Sequence, residues 1–351
     1  MWPLKTIRLS QKKMRKQGVL LVNLGTPDSP SVPDVRRYLD EFLMDERVID
    51  INPINRTLLV KGIIVPFRGP KSAKIYQKVW SDKGSPLLYY SERQKELLQQ
   101  ALGNDYIVEL AMRYQSPSIE SALEALKKKQ VSRIKVIPLF PQYASASTGS
   151  VNQKIMEIVS KWQTIPDISF ISSFHDNEGM LEVFADNARK YQPESFDHIL
   201  FSFHGLPERQ LLKADDTGKY CLQVPDCCSR FNDANRMCYS AQSHDTARLL
   251  AAKLNIPKEK YTVCFQSRLG NSPWKKPYTT DVLKELAAKG AKRLLVFSPA
   301  FVADCLETLY EIVEEYHDEF VALGGEKVQL VESLNDNPKW IAALEKMVKG
   351  S

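Results

Sequence analysis

The feature that most constrains the fold of this chain is a set of short apolar runs that alternate with amphipathic segments. Segments with helical periodicity, such as residues 118–130 and 280–290, lie between the runs, and the second ends at Gly290 as helices commonly do. This alternation predicts an α/β fold with parallel sheets. We expect two Rossmann-like domains, each on a four-stranded parallel sheet. Eight runs resemble buried strands: residues 18–25, 106–114, 134–140, 168–174, 198–205, 261–270, 293–300 and 327–335.

The length of 351 residues suits two domains of ordinary size. We place the N-terminal domain at residues 17–165 together with 326–351, and the C-terminal domain at 166–325. Two segments interrupt the rhythm: residues 39–70 are apolar with scattered basic residues, and residues 207–239 form a long connection without periodicity. Connections of that length are usually functional or disordered. No G-x-G-x-x-G motif follows the first run, so the sequence does not indicate a dinucleotide site.

The net charge of the chain is concentrated at its start. Residues 1–16 carry six Lys or Arg and no acid, which accounts for the whole net charge of +6 and leaves 42 basic and 42 acidic residues elsewhere. A neutral body argues against nucleic-acid binding, which needs a basic face. We interpret the segment as a solvated basic tail, with contact to anionic lipid as the alternative. The longest apolar stretch, residues 58–67, is shorter than the about 20 residues that cross a bilayer.

Four of the six cysteines fall within eighteen residues, at Cys221, Cys227, Cys228 and Cys238. We see no signal peptide and expect a cytoplasmic protein, where structural disulfides are rare and clustered thiols favour metal binding. Four thiolates suit a [2Fe–2S] cluster or tetrahedral zinc, and free thiols are the third interpretation. The absence of a C-x-x-C pair disfavours a common zinc ribbon. Cys264 and Cys305 follow apolar patterns and are interpreted as core residues.

Polar side chains follow several apolar runs, at the strand ends where open α/β sheets bind ligands. His204 ends one run and can accept a proton or bind a metal near neutral pH, with a capping or core histidine as the alternative. Glu307, Glu311 and Glu315 are spaced to share one helix face, close to Asp304 at a strand end. Such a row is commonly a solvated acidic face, but a row leading from a cleft can relay protons or hydrated cations.

Eight motifs along the chain resemble those of ferrochelatases, in the same order and spacing. The block LFSFHGLPER (200–209) resembles the active-site signature of that family. The resemblance extends from about residue 17 to the end and implies a chelatase-like fold. The seven further blocks are LVNLGTP (21–27), FRGPKSAKIY (67–76), KGSPL (83–87), RYQSPSIESAL (113–123), PLFPQYASASTGS (138–150), FQSRLGNSPWKKPYT (265–279) and PAFVADCLETLYEI (299–312).

The resemblance implies a lyase that inserts Fe²⁺ into protoporphyrin IX, releasing two protons and forming haem. His204 is then the active-site histidine, which accepts a pyrrole proton or passes the metal, and Glu307 is the essential carboxylate facing it. Asp304, Glu311 and Glu315 continue the implied iron path. The residues implied to line the porphyrin pocket or hold its propionates are Leu24, Arg68, Tyr76, Ser85, Arg113, Tyr114 and Trp274.

The resemblance also identifies residues 39–70 as the lip of the porphyrin pocket. In members that use protoporphyrin the lip is apolar and rests on the membrane, which implies peripheral association with the inner membrane. A homodimer is compatible with the resemblance. Some bacterial members carry four cysteines in an insert after H-x-L-P, which implies a [2Fe–2S] cluster held by the four thiols of the 207–239 segment. The apolar lip residues are Phe42, Leu43, Ile49, Ile51, Leu58, Leu59, Ile63 and Ile64.

Two other functions stay open at this point. One is a chelatase of the same fold that acts on coproporphyrin or on another metal or tetrapyrrole, and the apolar lip favours protoporphyrin over it. The other is a non-catalytic Fe–S or haem-binding sensor, which the cysteine insert alone would suggest. The presence of both His204 and Glu307 favours an enzyme over a sensor.

Overall fold

The computed structural model describes residues 16–270 and 272–350, and its eight strands form two separate four-stranded parallel sheets. The predicted basic tail lies, apart from Lys16, outside the described residues. All eight apolar runs contain a strand, as predicted. The strands are β1 Gln17–Gly25, β2 Tyr106–Tyr114, β3 Arg133–Pro138, β4 Asp167–Phe170, β5 His198–His204, β6 Tyr261–Gln266, β7 Arg293–Phe297 and β8 Lys327–Leu330.

The two sheets repeat one topology. The first has the strand order β2-β1-β3-β4 and the second β6-β5-β7-β8, and every neighbouring pair is parallel. Each sheet therefore starts at a central strand, adds one strand on one side and then two on the other. Parallel strands need crossover connections, and helices supply most of them here. The predicted α/β fold with two Rossmann-like sheets is confirmed.

Two strands join a different sheet from the one that the predicted domain ranges imply. β4 pairs with β3, with Ile168 opposite Ile134, so it belongs to the first sheet although residues 166–325 were assigned to the C-terminal domain. β8 pairs with β7, with Val328 opposite Leu294, so it belongs to the second sheet although residues 326–351 were assigned to the N-terminal domain. The difference has a physical reason. An apolar pattern shows where a strand lies, but any free parallel edge can accept its hydrogen bonds.

Helices cover both faces of each sheet. Three segments have the wider i→i+5 hydrogen bonding of a π-helix, which is frequent at functional sites, at Leu58–Ile64, Ser145–Gly149 and Glu307–Tyr316. Short 3₁₀ turns lie at Gly103–Asp105, Pro193–Ser195 and Lys258–Lys260. The α-helices are α1 Val32–Met44, α2 Pro53–Thr57, α3 Val65–Val79, α4 Pro86–Leu102, α5 Ile119–Lys128, α6 Ser150–Val159, α7 Glu178–Arg189, α8 Glu208–Lys213, α9 Tyr239–Lys253, α10 Thr279–Ala288, α11 His317–Ala322 and α12 Pro338–Lys349.

The largest apolar core joins the two halves. It contains Val19 and Leu21 of β1, Phe201 of β5 and Trp340 of α12, all fully buried. Alternate residues of the same strands point to the opposite face, into a separate core for each sheet. α12, the last helix, packs on α4 and α7 of the first half, and its Trp340 ring lies 5.7 Å from that of Phe174. The halves are therefore two sheets sharing one core.

The predicted lip is a helical hairpin beside the first sheet. α1 packs against α3, which continues α2 and the first π-helix, and the loop 45–52 connects the two arms. The arms approach so closely that a Cβ on Gly69 would lie 2.6 Å from Arg36 Cγ. No helix in residues 16–270 and 272–350 is both long enough and apolar enough to cross a membrane.

Candidate active site

A cleft of about 550 Å³ opens where the carboxyl ends of strands from both sheets meet. Leu24, Tyr76 and Ser85 line it from the first half, and Glu307 lines it from the second. The cleft therefore brings together four of the side chains predicted from sequence. Its remaining walls are mainly apolar and aromatic, as a flat hydrophobic ligand requires, and they include Tyr38, Pro86, Leu87, Leu139, Phe140, Phe301, Val302 and Leu306.

His204 is the last residue of β5 and is held in one tautomer. Its Nδ1 lies 2.7 Å from the carbonyl oxygen of Gly205. Because a carbonyl can only accept, Nδ1 carries the proton and Nε2 is left as a proton acceptor. The backbone carbonyl of His204 in turn accepts a hydrogen bond of 2.9 Å from the Tyr239 hydroxyl. The imidazole is half-buried, so its Nε2 is oriented rather than free to rotate in solvent.

Trp274 lies behind the turn that follows His204. A Cβ on Gly205 would lie 2.9 Å from the carbonyl oxygen of Gln266 and 3.2 Å from the Trp274 ring, so this turn requires glycine. Trp274 is buried and forms a bridge with Pro207. The structure therefore places Trp274 under the His204 turn, and it is not among the residues that line the cleft.

The three predicted glutamates follow one another along the π-helix Glu307–Tyr316. Glu311 is the most tightly held of them, because its carboxylate accepts hydrogen bonds from Gln266 at 3.1 Å, Ser267 at 2.6 Å and Tyr316 at 2.7 Å. Burial, and next the negative charge of Glu311, raise the pKa of Glu315. A carboxyl with a raised pKa can hold and release a proton closer to neutral pH.

Gln266 connects the histidine strand to the glutamate helix. It is the ladder partner of His204. Its side-chain amide donates to the Glu307 carbonyl oxygen and to Glu311, and its own oxygen accepts from Ser202 at 2.7 Å. Sequence analysis did not single out this residue. A strand-end glutamine that is 98% buried is well suited to fix two elements relative to each other.

Asp304 lies at the start of the glutamate helix, and its carboxylate is used within the protein. Its Oδ1 accepts from the Thr308 hydroxyl and from the Ser333 backbone at 3.2 Å each. Its Oδ2 accepts from the Asn335 amide at 2.7 Å. These contacts fasten the helix to the segment after β8. They do not orient the carboxylate along the row of glutamates.

Arg113 and Tyr114 end β2 and both bind Asp45, a residue that sequence analysis missed. Asp45 Oδ2 accepts from Arg113 at 2.7 Å, from the Tyr114 hydroxyl at 2.9 Å and from Ser150 at 2.5 Å. Burial alone would raise the pKa of Asp45, but hydrogen bonds from Ser150 and the Arg47 backbone, with the charge of Arg113, hold it below the usual value. The Arg113 guanidinium is thus neutralised within the protein. The nearness of Arg113 to the acidic loop 45–52 is the only signal that could have indicated the pairing of Arg113 with Asp45.

Tyr38 and Cys305 line the cleft beside Glu307 and were also not predicted as site residues. Burial raises the pKa of the Tyr38 hydroxyl well above its usual value, and the charge of Glu307 raises it further. The same two causes, in the same order, raise the pKa of Cys305, whose thiol donates a hydrogen bond to Glu307. Both groups therefore stay protonated beside the carboxylate. Tyr38 lies on the amphipathic helix α1, where the sequence pattern indicates an ordinary core aromatic residue.

The four clustered cysteines meet around a cavity of about 670 Å³ in the loop 214–238. Cys227 Sγ and Cys228 Sγ are 3.8 Å apart. The Cys228 thiol donates to the Ser240 hydroxyl at 3.2 Å. A hydrogen bond from Cys238 lowers the pKa of Cys221, and the same bond raises the pKa of Cys238 to about 11. Four thiols that line one cavity form a donor set that suits a thiolate-bound cluster.

The positions of the four thiols, unlike their chemistry, do not match those of metal ligands. Within residues 16–270 and 272–350, no group of three or more His, Cys, Asp or Glu side chains is arranged to hold a metal ion. The structure thus gathers the predicted cysteines without setting them at the corners of a coordination sphere.

Comparison with known proteins places the chain beside ferrochelatases. The sequence model of one family, described as ferrochelatase, matches residues 16–351. A ferrochelatase of Coxiella burnetii (strain Dugway 5J108-111) is 46% identical over 98% of this chain and 96% of its own length. A ferrochelatase of Legionella pneumophila (strain Lens) is 45% identical over 95% and 98%, respectively.

Solved structures agree on the fold. The structure described as SirB from Bacillus subtilis with Fe³⁺ covers 95% of this chain with a TM-score of 0.53 at 15% identity, and the match covers 94% of SirB. At that identity the likeness shows the architecture alone. The sequence matches span almost the whole chain and include every element that carries the cleft, and they show that this chain belongs to the ferrochelatase family.

Proposed function

We propose that the chain inserts Fe²⁺ into protoporphyrin IX in the 550 Å³ cleft, releasing two protons and forming haem. The observation that carries the proposal is the link through Gln266, which joins the strand of a tautomer-fixed His204 to the helix of Glu307 and Glu311. A base and a row of carboxylates at the edge of an apolar cleft are what this reaction needs. The aromatic side chains Tyr38 and Tyr76 suit a flat macrocycle.

His204 would act as the base that takes a pyrrole proton. Its Nδ1–H is committed to the Gly205 carbonyl, so the lone pair of Nε2 is available for the proton. The imidazolium that forms would keep the same hydrogen bond. Because the porphyrin loses two protons as the neutral iron complex forms, the second proton also needs an acceptor near the ring.

Glu307 would receive iron or the second proton at the cleft, with Glu311 and Glu315 as the path beyond it. The three neutral donors on Glu311 orient that carboxylate without neutralising its charge. The raised pKa of Glu315 suits a group that passes protons outward. We assign Asp304 to holding this helix in place, because Thr308, Ser333 and Asn335 occupy its carboxylate.

The remaining pocket residues divide into contact and support. Leu24, Tyr76 and Ser85 would contact the macrocycle, since they line the cleft. Arg68 is exposed on the lip and is the arginine available to hold a propionate in the two-pronged way that suits guanidinium. Arg113 and Tyr114, both bound to Asp45, would instead support the wall from behind. Trp274 would support His204 through Gly205.

We further propose that the lip rests on a membrane surface, so that the apolar substrate enters from the lipid. Four large apolar side chains are exposed on the helix 53–79: Ile54 (71%), Leu58 (65%), Ile63 (57%) and Phe67 (71%). Such a patch is unusual on a monomer and typical of an interaction surface. Of the predicted lip residues, Leu43, Ile49 and Ile64 pack in the lip's own core instead. This contact would make the protein peripheral, on the inner membrane, and favours protoporphyrin over the more acidic coproporphyrin.

For the insert we propose a [2Fe–2S] cluster held by Cys221, Cys227, Cys228 and Cys238. The support is the donor set of four thiols that line one cavity, two of them with sulfur atoms 3.8 Å apart. The chemistry that such a cluster supplies when bound is one-electron exchange, which metal insertion does not use because the iron stays Fe²⁺. Absorption of the anaerobically purified protein between about 300 and 600 nm, bleached by dithionite, would support the cluster. A colourless protein would contradict the cluster, and its metal content would show whether the four cysteines hold zinc or no metal.

The test of the active site is the pair of variants His204→Ala and His198→Ala. His204→Ala should lose metal insertion by at least about 100-fold, the usual effect of removing a general base, while porphyrin binding measured by fluorescence quenching persists. His198, at the opposite end of β5 and bonded to Thr262, should tolerate substitution. Full activity of His204→Ala would overturn the assignment. Turnover of coproporphyrin in preference to protoporphyrin would show that coproporphyrin is the substrate of this site.

A further inference from the structure

A second, larger cavity lies between the lip and the cysteine insert. It has about 1390 Å³ of empty space, part of it open to solvent, and it is separate from the porphyrin cleft. Its walls come from the loop 45–52 and α2, from Tyr143 and Ser145 after β3, and from α8 and Met237. The mechanism proposed above does not use it. The charged side chains that line it are Glu46, Arg47, Asp50, Arg56, Lys213 and Asp216.

Arg56 is the unusual residue in this cavity. Its side chain is buried, with 9% exposure, yet it forms no ion pair with any described residue. Its Nε has no hydrogen-bond partner among the described residues, and the Nη1 contact to the Ile49 carbonyl is long, at 3.3 Å. A buried cation without a counter-ion is costly. The cavity wall thus presents a guanidinium for which residues 16–270 and 272–350 supply no carboxylate, the anion with two oxygens that it binds best.

Arg47 adds to this positive character. Its guanidinium donates to two neutral groups, the Ser145 hydroxyl at 2.8 Å and the Gln153 side chain. Asp50 is shared by two cations, Arg209 at 2.7 Å and Lys213 at 2.8 Å, so it has no capacity left to balance Arg56.

The remaining acids do not balance the two arginines. Glu46 and Asp216 are exposed, and solvent and salt screen them more strongly than buried groups. The deep part of the cavity is therefore the cationic part.

We propose that this cavity binds the phosphate headgroup of an anionic phospholipid, with Arg56 as its central contact and Arg47 as the second. The proposal rests on the membrane contact proposed for the lip. A lipid is favoured over a free phosphate because the lip segment that lines the cavity also carries exposed apolar side chains. Ile51 and Pro53 line it, and Ile54 and Leu58 follow within the next turns. A headgroup in the cavity leaves its acyl chains beside the face that would enter the bilayer.

The experiment measures sedimentation of the full chain with vesicles of phosphatidylcholine alone and of phosphatidylcholine mixed equally with phosphatidylglycerol. Arg56→Gln should lower partition onto the mixed vesicles about fivefold or more, the effect expected for one basic side chain at an anionic surface, and leave partition onto the neutral vesicles unchanged. Lys61→Gln is the matched control. Lys61 is an exposed lip cation that faces Asp40 at 3.5 Å. Equal losses in both variants would mean a general surface field and would overturn the site.

Three further arms separate the other outcomes. Soluble glycerol phosphate should release the unmodified protein from mixed vesicles but not from neutral ones, a result that needs no variant and stands even if Arg56→Gln does not fold. A rise in Tm with inorganic phosphate, without any vesicle preference, would assign the cavity to a free anion and overturn the lipid. Phe67→Ser tests the lip itself, because it should weaken binding to both kinds of vesicle; no effect there would overturn the membrane contact independently of Arg56.

Discussion

The two halves of the molecule share one topology, and their strand ends carry opposite chemistry. In each half an equivalent backbone hydrogen bond lies near the end of the second strand. The Met112 N–H donates to the Pro117 carbonyl oxygen in the first half, and the Phe265 N–H donates to that of Pro277 in the second. The next residue is Arg113 in the first half and Gln266 in the second, and each binds a carboxylate, Asp45 or Glu311. One carboxylate meets a cation and the other meets only neutral donors.

The difference teaches how a repeated fold separates support from reaction. Arg113 cancels the charge of Asp45, so this pair can stabilise the wall of the cleft but cannot exchange ions with a substrate. Glu311 is oriented by Gln266, Ser267 and Tyr316 and keeps its charge. The central strands β1 and β5 show the same contrast. Leu24 and His204 both precede the glycine of their turn, and only the second can accept a proton.

The strongest way to break this comparison is to neutralise the reactive half. Glu307→Gln should lower kcat at least about 100-fold, as expected when an acid–base or charge-stabilising group is removed, with little change in Tm because the amide keeps the side-chain volume. Glu314→Gln is the matched control, since Glu314 is on the same helix, partly exposed and paired with Lys78. Steady-state metal-insertion assays measure kcat. Equal kcat values in the two variants would show that Glu307 does not take part in the reaction.

Neutralising the carboxylate of the supporting half should affect stability instead. Asp45→Asn leaves Arg113 buried without its counter-ion and should lower the free energy of unfolding by about 3 kcal/mol. The pKa of Asp45 is lowered by folding, so its stabilisation is present above the ordinary carboxyl pKa and is lost as pH falls through the lowered value. Denaturant unfolding across the acid range should therefore be less pH-dependent in the variant. A kcat loss without a stability loss would contradict the division of roles.

The closing helices of the two halves should behave alike. Asn177 is the N-cap residue of α7 and Asn337 that of α12, and each asparagine side chain accepts a backbone N–H of its helix's first turn. Replacing either by Ala should cost about 1 kcal/mol. Because both helices pack into the shared core, a common unfolding transition should report both changes. Separate transitions in calorimetry would show that the halves unfold independently.

The smallest effect expected is on a single titration. Burial and then the charge of Glu311 raise the pKa of Glu315. Glu311→Gln removes the charge but not the burial, so the pKa of Glu315 should fall and still stay above that of an exposed glutamate. Carboxyl carbon NMR with labelled glutamate can follow it, with Glu314→Gln again as the control. An unchanged pKa would mean that Glu311 does not act on its neighbour.

Periodicity was enough to predict all eight strands, because buried parallel strands require continuous apolar runs. Periodicity could not assign β4 and β8 to their sheets, since pairing is made by backbone groups that every residue carries. It also predicted an ordinary α-helix for the glutamate row. The structure has a π-helix at Glu307–Tyr316 instead, whose first carbonyl oxygen accepts a hydrogen bond from Gln266, a residue distant in sequence.

The candidate site shows the same limit. His204 is recognisable because a histidine ends a buried strand, and Glu307 because its sequence block resembles one of ferrochelatases. Asp45, Arg56 and Gln266 are not recognisable in this way, because each acquires its role from a partner, or from the lack of one, far away in sequence. Burial of a charge is a property of the fold, and no local pattern records it.

The return of α12 to the first half has a consequence for how the chain can be made. During synthesis the first half leaves the ribosome early, yet the surface of α4 and α7 that receives Trp340 stays uncovered until the last residues emerge. The final twelve-residue helix is therefore a closing step for the entire protein. A ribosome that stalls near the C-terminus would leave a nearly complete chain with an open core, and such a chain is the form that chaperones and proteases would recognise first.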